Sequence, residues 1–520
     1  MARRRLSARR ASAGDDPYVY AYRRDLSGGK NNRQHPSVIG ETQAKELKNI
    51  DLTVPGQRPR RPGLTLVEDL GSNAITGLFG YDPQGFTANL LVTEGTNLRR
   101  WSGTGAFSSA IKSDFTSGLS TTIVKAYKTS VGDVALISNG TDNVFEMTPS
   151  YSMNDLGDTN TSPPKTTVMT FYRNRLWALK NDLLYFSGAA PSDYSNTFDR
   201  TTNVYRIPVG AERAVLGTRD LGLLIAGKEQ VWALNPSNTP AATDKPEKLL
   251  DIGLAAGNTF CQVGDDYLGL FFDGVRGIKR TLQDKLQLGD SLPLSYVLKE
   301  EFDEINWAHI DKACAVYWDN KYLLALPTTG STYNNKVWVY FPGINAWSVI
   351  TGWNVAVFAK FKVNGQERLY VGEASGDGKV YRAWSGSSDN GTAIHFVEEG
   401  RNEDLGHPLV KKHAGELKVV AKPTGDYNIS VYGSFDGGAY NFLGYLNVST
   451  NLVTFPTTFP VNFTPDQQSY EKFHLDSYGS WYQFRYKLEH NAVTTNADDI
   501  TILETSIVAN LDEYISEESA

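Results

Sequence analysis

The feature that most restricts what this chain can fold into is a strand–turn–strand unit that recurs along it. It is plainest at 365–384. Arg368-Leu369-Tyr370-Val371 is rich in strand formers, and Ser375-Gly376-Asp377-Gly378 is a turn in which Asp-Gly supplies the positive φ of a tight hairpin. Lys379-Val380-Tyr381-Arg382-Ala383-Trp384 then alternates polar with apolar or aromatic residues, the period of a half-buried strand. The same order of strand, short turn and strand recurs, with Trp101, Phe145, Tyr185, Trp232, Ile278, Trp338 and Tyr381 as its marks. The steps between these marks are 44, 40, 47, 46, 60 and 43 residues. An ordinary antiparallel sandwich repeats its strands every ~8–12 residues with no longer period. A period of about 40–50 residues built from hairpins is that of β-propeller blades. The expectation is therefore an all-β chain with a β-propeller of about seven blades over 74–390. The long step holds an insertion, in which Leu294, Val297, Leu298 and Phe302 share one helical face, so a helix is expected near 291–306.

The ends of the chain differ from this pattern. Residues 1–50 are rich in Arg, Lys, Asn, Gln and Ser and read as an extended basic arm. The alternation Tyr18, Tyr20, Tyr22 suits a strand added to a neighbouring subunit. Prolines fix an extended path through the lead-in at 51–73, where Arg58, Arg60 and Arg61 are expected to be interface charges. With Arg3, Arg4 and Arg5 and the three tyrosines, they form the candidate partner interface. Ser385-Gly386-Ser387-Ser388-Asp389-Asn390-Gly391 reads as a linker. Beyond it, 391–511 carries short alternating runs such as Tyr427-Asn428-Ile429-Ser430-Val431-Tyr432, which predict a C-terminal β-sandwich or jelly-roll-like domain. Residues 512–520 form an acidic tail.

Composition excludes some classes. A net charge of −7 and a pI of about 5.6 do not suit a general nucleic-acid binder. Two cysteines, Cys261 and Cys314, cannot make a disulfide framework and suit buried thiols of a protein made in a reducing cytoplasm. No apolar run reaches the roughly 18–20 residues of a membrane span. The Arg-rich start lacks the apolar stretch of a signal peptide, while its Arg/Ser/Ala composition admits a mitochondrial transit peptide.

No catalytic constellation, metal ligand set or cofactor motif emerges. The seven histidines are scattered, and there is no H-E-x-x-H, phosphate-binding loop or G-x-S-x-G elbow. Asp377-Gly378 and Asp273-Gly274 lack the repeated oxygen ligands of a calcium loop and read as hairpin turns. The paired acids Asp265-Asp266 and Glu300-Glu301 read as solvated charge.

Four stretches together resemble the tail nozzle proteins of short-tailed bacteriophages. They are KNIDLTVPGQRPRRPGLTLVEDLG from Lys48, LISNGTDNVFEM from Leu136, FYRNRLWALKNDLLYFSGAAPSDYS from Phe171, and NAWSVITGWNVAVFAKFKVNGQERLYVGEASGDGKVYRAW from Asn345. The resemblance covers most of 45–400. It implies a non-enzymatic structural virion protein without cofactors, in a homo-oligomeric ring that is usually a hexamer. Its implied partners are a portal or adaptor protein and tail fibre, spike or needle proteins. Genomic DNA would pass through the lumen without specific binding, so basic residues are expected to face protein partners and acidic and amide side chains to line the lumen. The other class the sequence allows is a propeller that binds or cleaves glycans at a tail tip, with Tyr440 or Tyr445 stacking on sugars.

Overall fold

The computed structural model describes residues 18–240, 244–289, 291–423, 425–448, 469–492 and 500–511. The chain divides into two compact units. Among the described residues, one comprises 30–33 and 61–394, the other 18–29, 34–60 and 395–511.

The first unit is a seven-bladed β-propeller of antiparallel sheets. Blade 1 is built from Ile75–Tyr81, Asn89–Glu94 and Asn97–Trp101, and blade 2 from Thr122–Lys128, Gly132–Ser138, Phe145–Met147 and Met153–Asp155. Blade 3 is Met169–Tyr172, Arg175–Lys180, Leu183–Phe186 and Val204–Arg206, and blade 4 is Glu212–Gly217, Leu223–Gly227, Val231–Leu234 and Glu247–Leu250. Blade 5 has three strands, Cys261–Val263, Asp266–Phe271 and Gly274–Gly277. Blade 6 begins with Cys314–Trp318, Lys321–Leu326 and Asn334–Phe341. The 18-residue strand Ala346–Val363 supplies the last strand of blade 6 with its first half and the first strand of blade 7 with its second. Gln366–Glu373 and Lys379–Ala383 continue blade 7.

The ring is closed by a strand from far upstream. Leu64–Asp69 pairs antiparallel with Lys379–Ala383 as the fourth strand of blade 7. Gly378 sits beside this clasp with φ +62°, and a Cβ there would lie 2.1 Å from the Gly71 carbonyl oxygen.

Burial explains why these sequences form stacked blades. Second strands are covered on both faces: Asn89–Glu94, Leu223–Gly227 and Lys321–Leu326 are buried at every position. Their interiors, residues 90–92, 223–226 and 322–326, are accordingly apolar without alternation. The core lies between blades. Tyr81, Leu91 and Leu98 of blade 1 pack with Ile123, Ala135 and Ile137 of blade 2. Trp177 and Leu184 of blade 3 pack with Val215 and Ile225 of blade 4, and Trp101 of blade 1 with Phe361 and Tyr370 of blade 7.

The seven sequence marks fall on, or just after, the third strand of each blade. The expected hairpin turns are present at Gly95 (φ +55°), Gly140 (φ +79°), Gly274 (φ +136°) and Gly378. Asn181 and Asp182 (φ +48° and +60°) make a primed turn without glycine.

The insertion departs from expectation. There is no single helix near 291–306. A 3-10 turn, Leu294–Val297, is separated from a short helix, Lys299–Asp303, by Leu298, whose backbone is non-helical (φ −96°, ψ 58°). Leu298 is fully buried and Leu294, Val297 and Phe302 pack beside it, so the apolar face exists on a broken backbone. A further helix, Ile278–Leu288, follows blade 5 and ends on Gly289 in the left-handed region. Asp266 caps it from a neighbouring strand: its Oδ1 accepts from the Lys279 amide at 2.8 Å. Asp266 is thus no solvated turn residue. Nor is Glu301, which is buried between Lys30 and Lys336. Burial alone would raise its carboxyl, but the two lysines outweigh this and hold it below its ordinary value.

The second unit is a β-sandwich. One sheet runs Tyr18–Arg23, Thr501–Leu511, Lys412–Ala421 and Ser469–His474, with Arg58–Pro59 added to Thr501 and Ile502. The other runs Glu46–Lys48, Phe396–Glu399, Phe484–His490, Tyr427–Phe435 and Asn441–Val448. Phe484–His490 alternates buried and half-buried side chains throughout.

The sandwich corrects the expected domain boundaries. Residues 18–29 and 34–60 are not a free arm and lead-in; they belong to the C-terminal sandwich, burying Leu26, Ile39, Ala44, Leu47, Ile50 and Leu52. The stretch 385–391 is no open linker, since Gly63 donates to the Gly386 oxygen, Leu64 to the Ser388 oxygen, and the Asn390 amide to the Leu64 oxygen.

Candidate functional site

The residues expected to face partners separate into three groups. Arg3, Arg4 and Arg5 lie outside the described residues.

Arg58, Arg60 and Arg61 are not interface charges: each is about 1 % exposed. Arg58 reaches between the two sandwich sheets, its Nη1 2.6 Å from Glu398 Oε1, which also accepts from the Tyr486 hydroxyl at 2.8 Å. Burial pushes the Glu398 carboxyl up against the opposing pull of Arg58 and Tyr486. The Arg60 amide donates to the Ile500 oxygen at 2.6 Å. Burial, with Arg60 and His395 nearby, pushes the His490 imidazole down to about 4. Arg61, in the propeller, forks onto both Asp389 oxygens at 2.9 and 2.7 Å and lies 4.7 Å from the Trp353 ring centre, while Trp353 Nε1 donates to Asp389 Oδ1 at 3.0 Å. The aromatic ring beside Arg61 is thus supplied from almost three hundred residues away.

Tyr18, Tyr20 and Tyr22 do form a strand, but it pairs within this chain: Tyr18 faces Asn510, Tyr20 faces Val508 and Tyr22 faces Ser506. It is the edge strand of its sheet, and among the described residues nothing pairs with its outer side. The three rings point away from the sandwich core, 52 %, 63 % and 53 % exposed. The Tyr20 and Tyr22 rings are 5.2 Å apart and Arg24 lies 5.5 Å from the Tyr22 ring centre. Arg24 is itself held by Glu504 at 2.7 Å. The result is an open strand edge beside an aromatic row with one cation at its end.

Of the two tyrosines considered for sugar stacking, Tyr440 is half-buried with Arg485 and Lys487 over its ring at 5.4 and 5.8 Å. Tyr445 is exposed and packs edge-on to Phe442 at 4.9 Å.

The sequence did not single out the axial cavity of the propeller. It has a volume of about 280 Å³ and takes lining residues from all seven blades, including Thr76, Ser120, Thr122, Thr167, Arg213 and Asn258. Arg213 is the one charged side chain among its lining residues. A contiguous cavity of about 380 Å³ shares Thr76, Ser120 and Asn258 and adds Asp311, Lys312 and Asn334. Among the described residues, no group of three or more His, Cys, Asp or Glu side chains could hold a metal ion. No helix there is long and apolar enough to cross a membrane.

No protein-family model matches the chain, and no curated protein does. Among solved structures it is similar to BBS1N crystallised in complex with ARL6DN, at 10 % identity and a TM-score of 0.38, over 63 % of this chain and 99 % of that one. It is similar to the WD40 β-propeller domain of Doa1 at 8 % identity and a TM-score of 0.38, over 62 % and 96 % of the two chains. A third, the extracellular domain of the putative hybrid two-component system BT3049 from B. thetaiotaomicron, gives 11 % identity and a TM-score of 0.41 over 73 % of this chain and 48 % of that one. This chain therefore spans about half the length of the third. Likeness at this level carries no functional argument.

Proposed function

We propose that this chain is a structural virion protein, a subunit of the nozzle ring in the tail of a short-tailed bacteriophage. In this reading copies of the chain, six in the usual case, form a ring attached to a portal or adaptor protein, and the genome leaves through its lumen. The four sequence stretches given above support the reading. The observation that carries it is the open edge of Tyr18–Arg23 with its outward tyrosine row. Unpaired strand edges invite pairing with another chain, and natural proteins protect them unless they serve that purpose. A head-to-tail contact of this kind closes into a ring when its rotation divides a full turn. The lumen's task sets its charge: lysines and arginines that neutralise phosphates would hold DNA with steep salt dependence. Acidic and amide linings avoid that friction.

Native mass spectrometry and negative-stain imaging of the full chain test the reading. The expected result is a closed ring that Tyr18→Ser, Tyr20→Ser and Tyr22→Ser together disperse without unfolding the subunit. A chain that stays monomeric at all concentrations, or one that binds glycans on an array through Tyr445, would replace the ring with the glycan-binding reading.

A further inference from the structure

The axial cavity carries an inference that is independent of the ring. We propose that it is a binding site for a small oxyanion, a carboxylate or phosphate compound, held by Arg213.

The first observation is local backbone geometry. Arg213 is the extra residue of a β-bulge in the innermost strand of blade 4, where Glu212 pairs with Gly227 and Ala214 with the adjacent Ala226. Thr76 and Ala356 are the extra residues of equivalent bulges in the innermost strands of blades 1 and 7. All three line the same cavity. A bulge interrupts the ladder and re-aims one side chain, and bulges concentrate beside functional sites. Bulges also occur elsewhere in the chain, but these three fall together around one axis.

The second observation is the state of the guanidinium. Arg213 makes no hydrogen bond or ion pair among the described residues, and its Nε is shielded from solvent. Its neighbour Glu212 is directed elsewhere, accepting from the Asn181 amide at 3.3 Å. No carboxylate lines the inner cavity. In the adjoining cavity Asp311 lies next to Lys312, whose Nζ donates to the Thr332 oxygen at 2.7 Å. The cation therefore has no counter-charge among the described residues, and only its Nε is enclosed. An oxyanion would supply that counter-charge.

The third observation is the remaining lining. Thr76, Ser120, Thr122, Thr167 and Asn258 add hydroxyl and amide groups around the axis. Together with the planar fork of five guanidinium donors they suit a carboxylate or phosphate. Blade 5 is drawn close to the site: a Cβ on Gly257 would lie 1.9 Å from the Arg213 carbonyl oxygen, so only glycine permits the approach. The volume admits a small anion and excludes a nucleic-acid duplex.

Isothermal titration of the full chain with inorganic phosphate and, separately, with malonate tests the site, with chloride as the control anion. The expected result is one saturable site per chain for at least one of the two. Arg213→Gln weakens it by about tenfold or more, as the loss of a charged hydrogen-bond partner implies. Arg213→Lys gives an intermediate loss, and Arg219→Gln, at an exposed position outside the cavity, leaves binding unchanged. Preference between the two anions assigns the ligand to the phosphate or the carboxylate class. Should Arg213→Gln fail to fold, phenylglyoxal labelling of the wild-type chain replaces it, with the bound anion expected to protect Arg213. No saturable binding of either anion, binding unaltered by Arg213→Gln, or labelling of Arg213 that neither anion slows would overturn the proposal.

Discussion

At the scale of single residues the buried charges decide most. Arg58 and Glu398 lie 2.6 Å apart inside the sandwich, both withdrawn from water. Removing one partner strands the other. Arg58→Ala is expected to cost about 3–5 kcal/mol, whereas Arg58→Met combined with Glu398→Leu is expected to come close to the wild type. Urea unfolding of the three proteins at constant pH measures this. His490 makes the second prediction. Its folded value of about 4 lies below its ordinary 6.5, so the unfolded chain takes up the proton first. Stability from this group is fully present above pH 6.5 and is lost as the pH falls toward 4, by up to about 3 kcal/mol. His490→Phe should flatten the dependence of the melting temperature across that window. Equal slopes for both proteins would show that His490 is not its source.

At the scale of elements, turns and caps hold the blades in place. Gly378 combines a left-handed backbone with a 2.1 Å approach to the clasp strand's outgoing chain at Gly71. Gly378→Ala is expected to destabilise the propeller by about 1–3 kcal/mol, visible as a lower urea midpoint. The helix Ile278–Leu288 depends on a cap supplied by a different strand. Asp266→Ala should lower stability by about 1 kcal/mol, and an unchanged midpoint would mean that solvent caps the helix equally well. The edge strand Tyr18–Arg23 was legible as a strand because its tyrosines alternate. Its partner within the chain was not, because Thr501–Leu511 lies almost five hundred residues away.

At the scale of the whole molecule, the stretch 385–391 gives a direct test. It reads as a linker by composition, yet its backbone is bonded to Gly63 and Leu64 and its Asp389 is forked by Arg61. Limited proteolysis of the native chain is therefore expected to spare 385–391. Early cleavage there would show that these bonds do not persist in solution. Glu301 adds an acid limit. Two lysines depress it below its ordinary 4.5, so its contribution is present above that value and is lost as the pH falls through the folded one.

The propeller was readable because its information is local and repeated. A hairpin, its turn and, in six of the seven units, an aromatic third strand occur within some twenty residues, and the period of about 45 says how many such units stack. Seven marks therefore found seven blades. The candidate site was not readable in the same way. Nothing near Arg58, Arg60 and Arg61 in sequence shows that they will be buried, since Glu398 and Asp389, the acids facing Arg58 and Arg61, arrive from more than three hundred residues downstream. Nothing near Arg213 shows that seven innermost strands will place it on an axis without a counter-charge. Periodicity fixes which residues a strand buries. Which charge meets which, and which is left alone, depends on where the ring closes and on what the sandwich gathers from both ends of the chain.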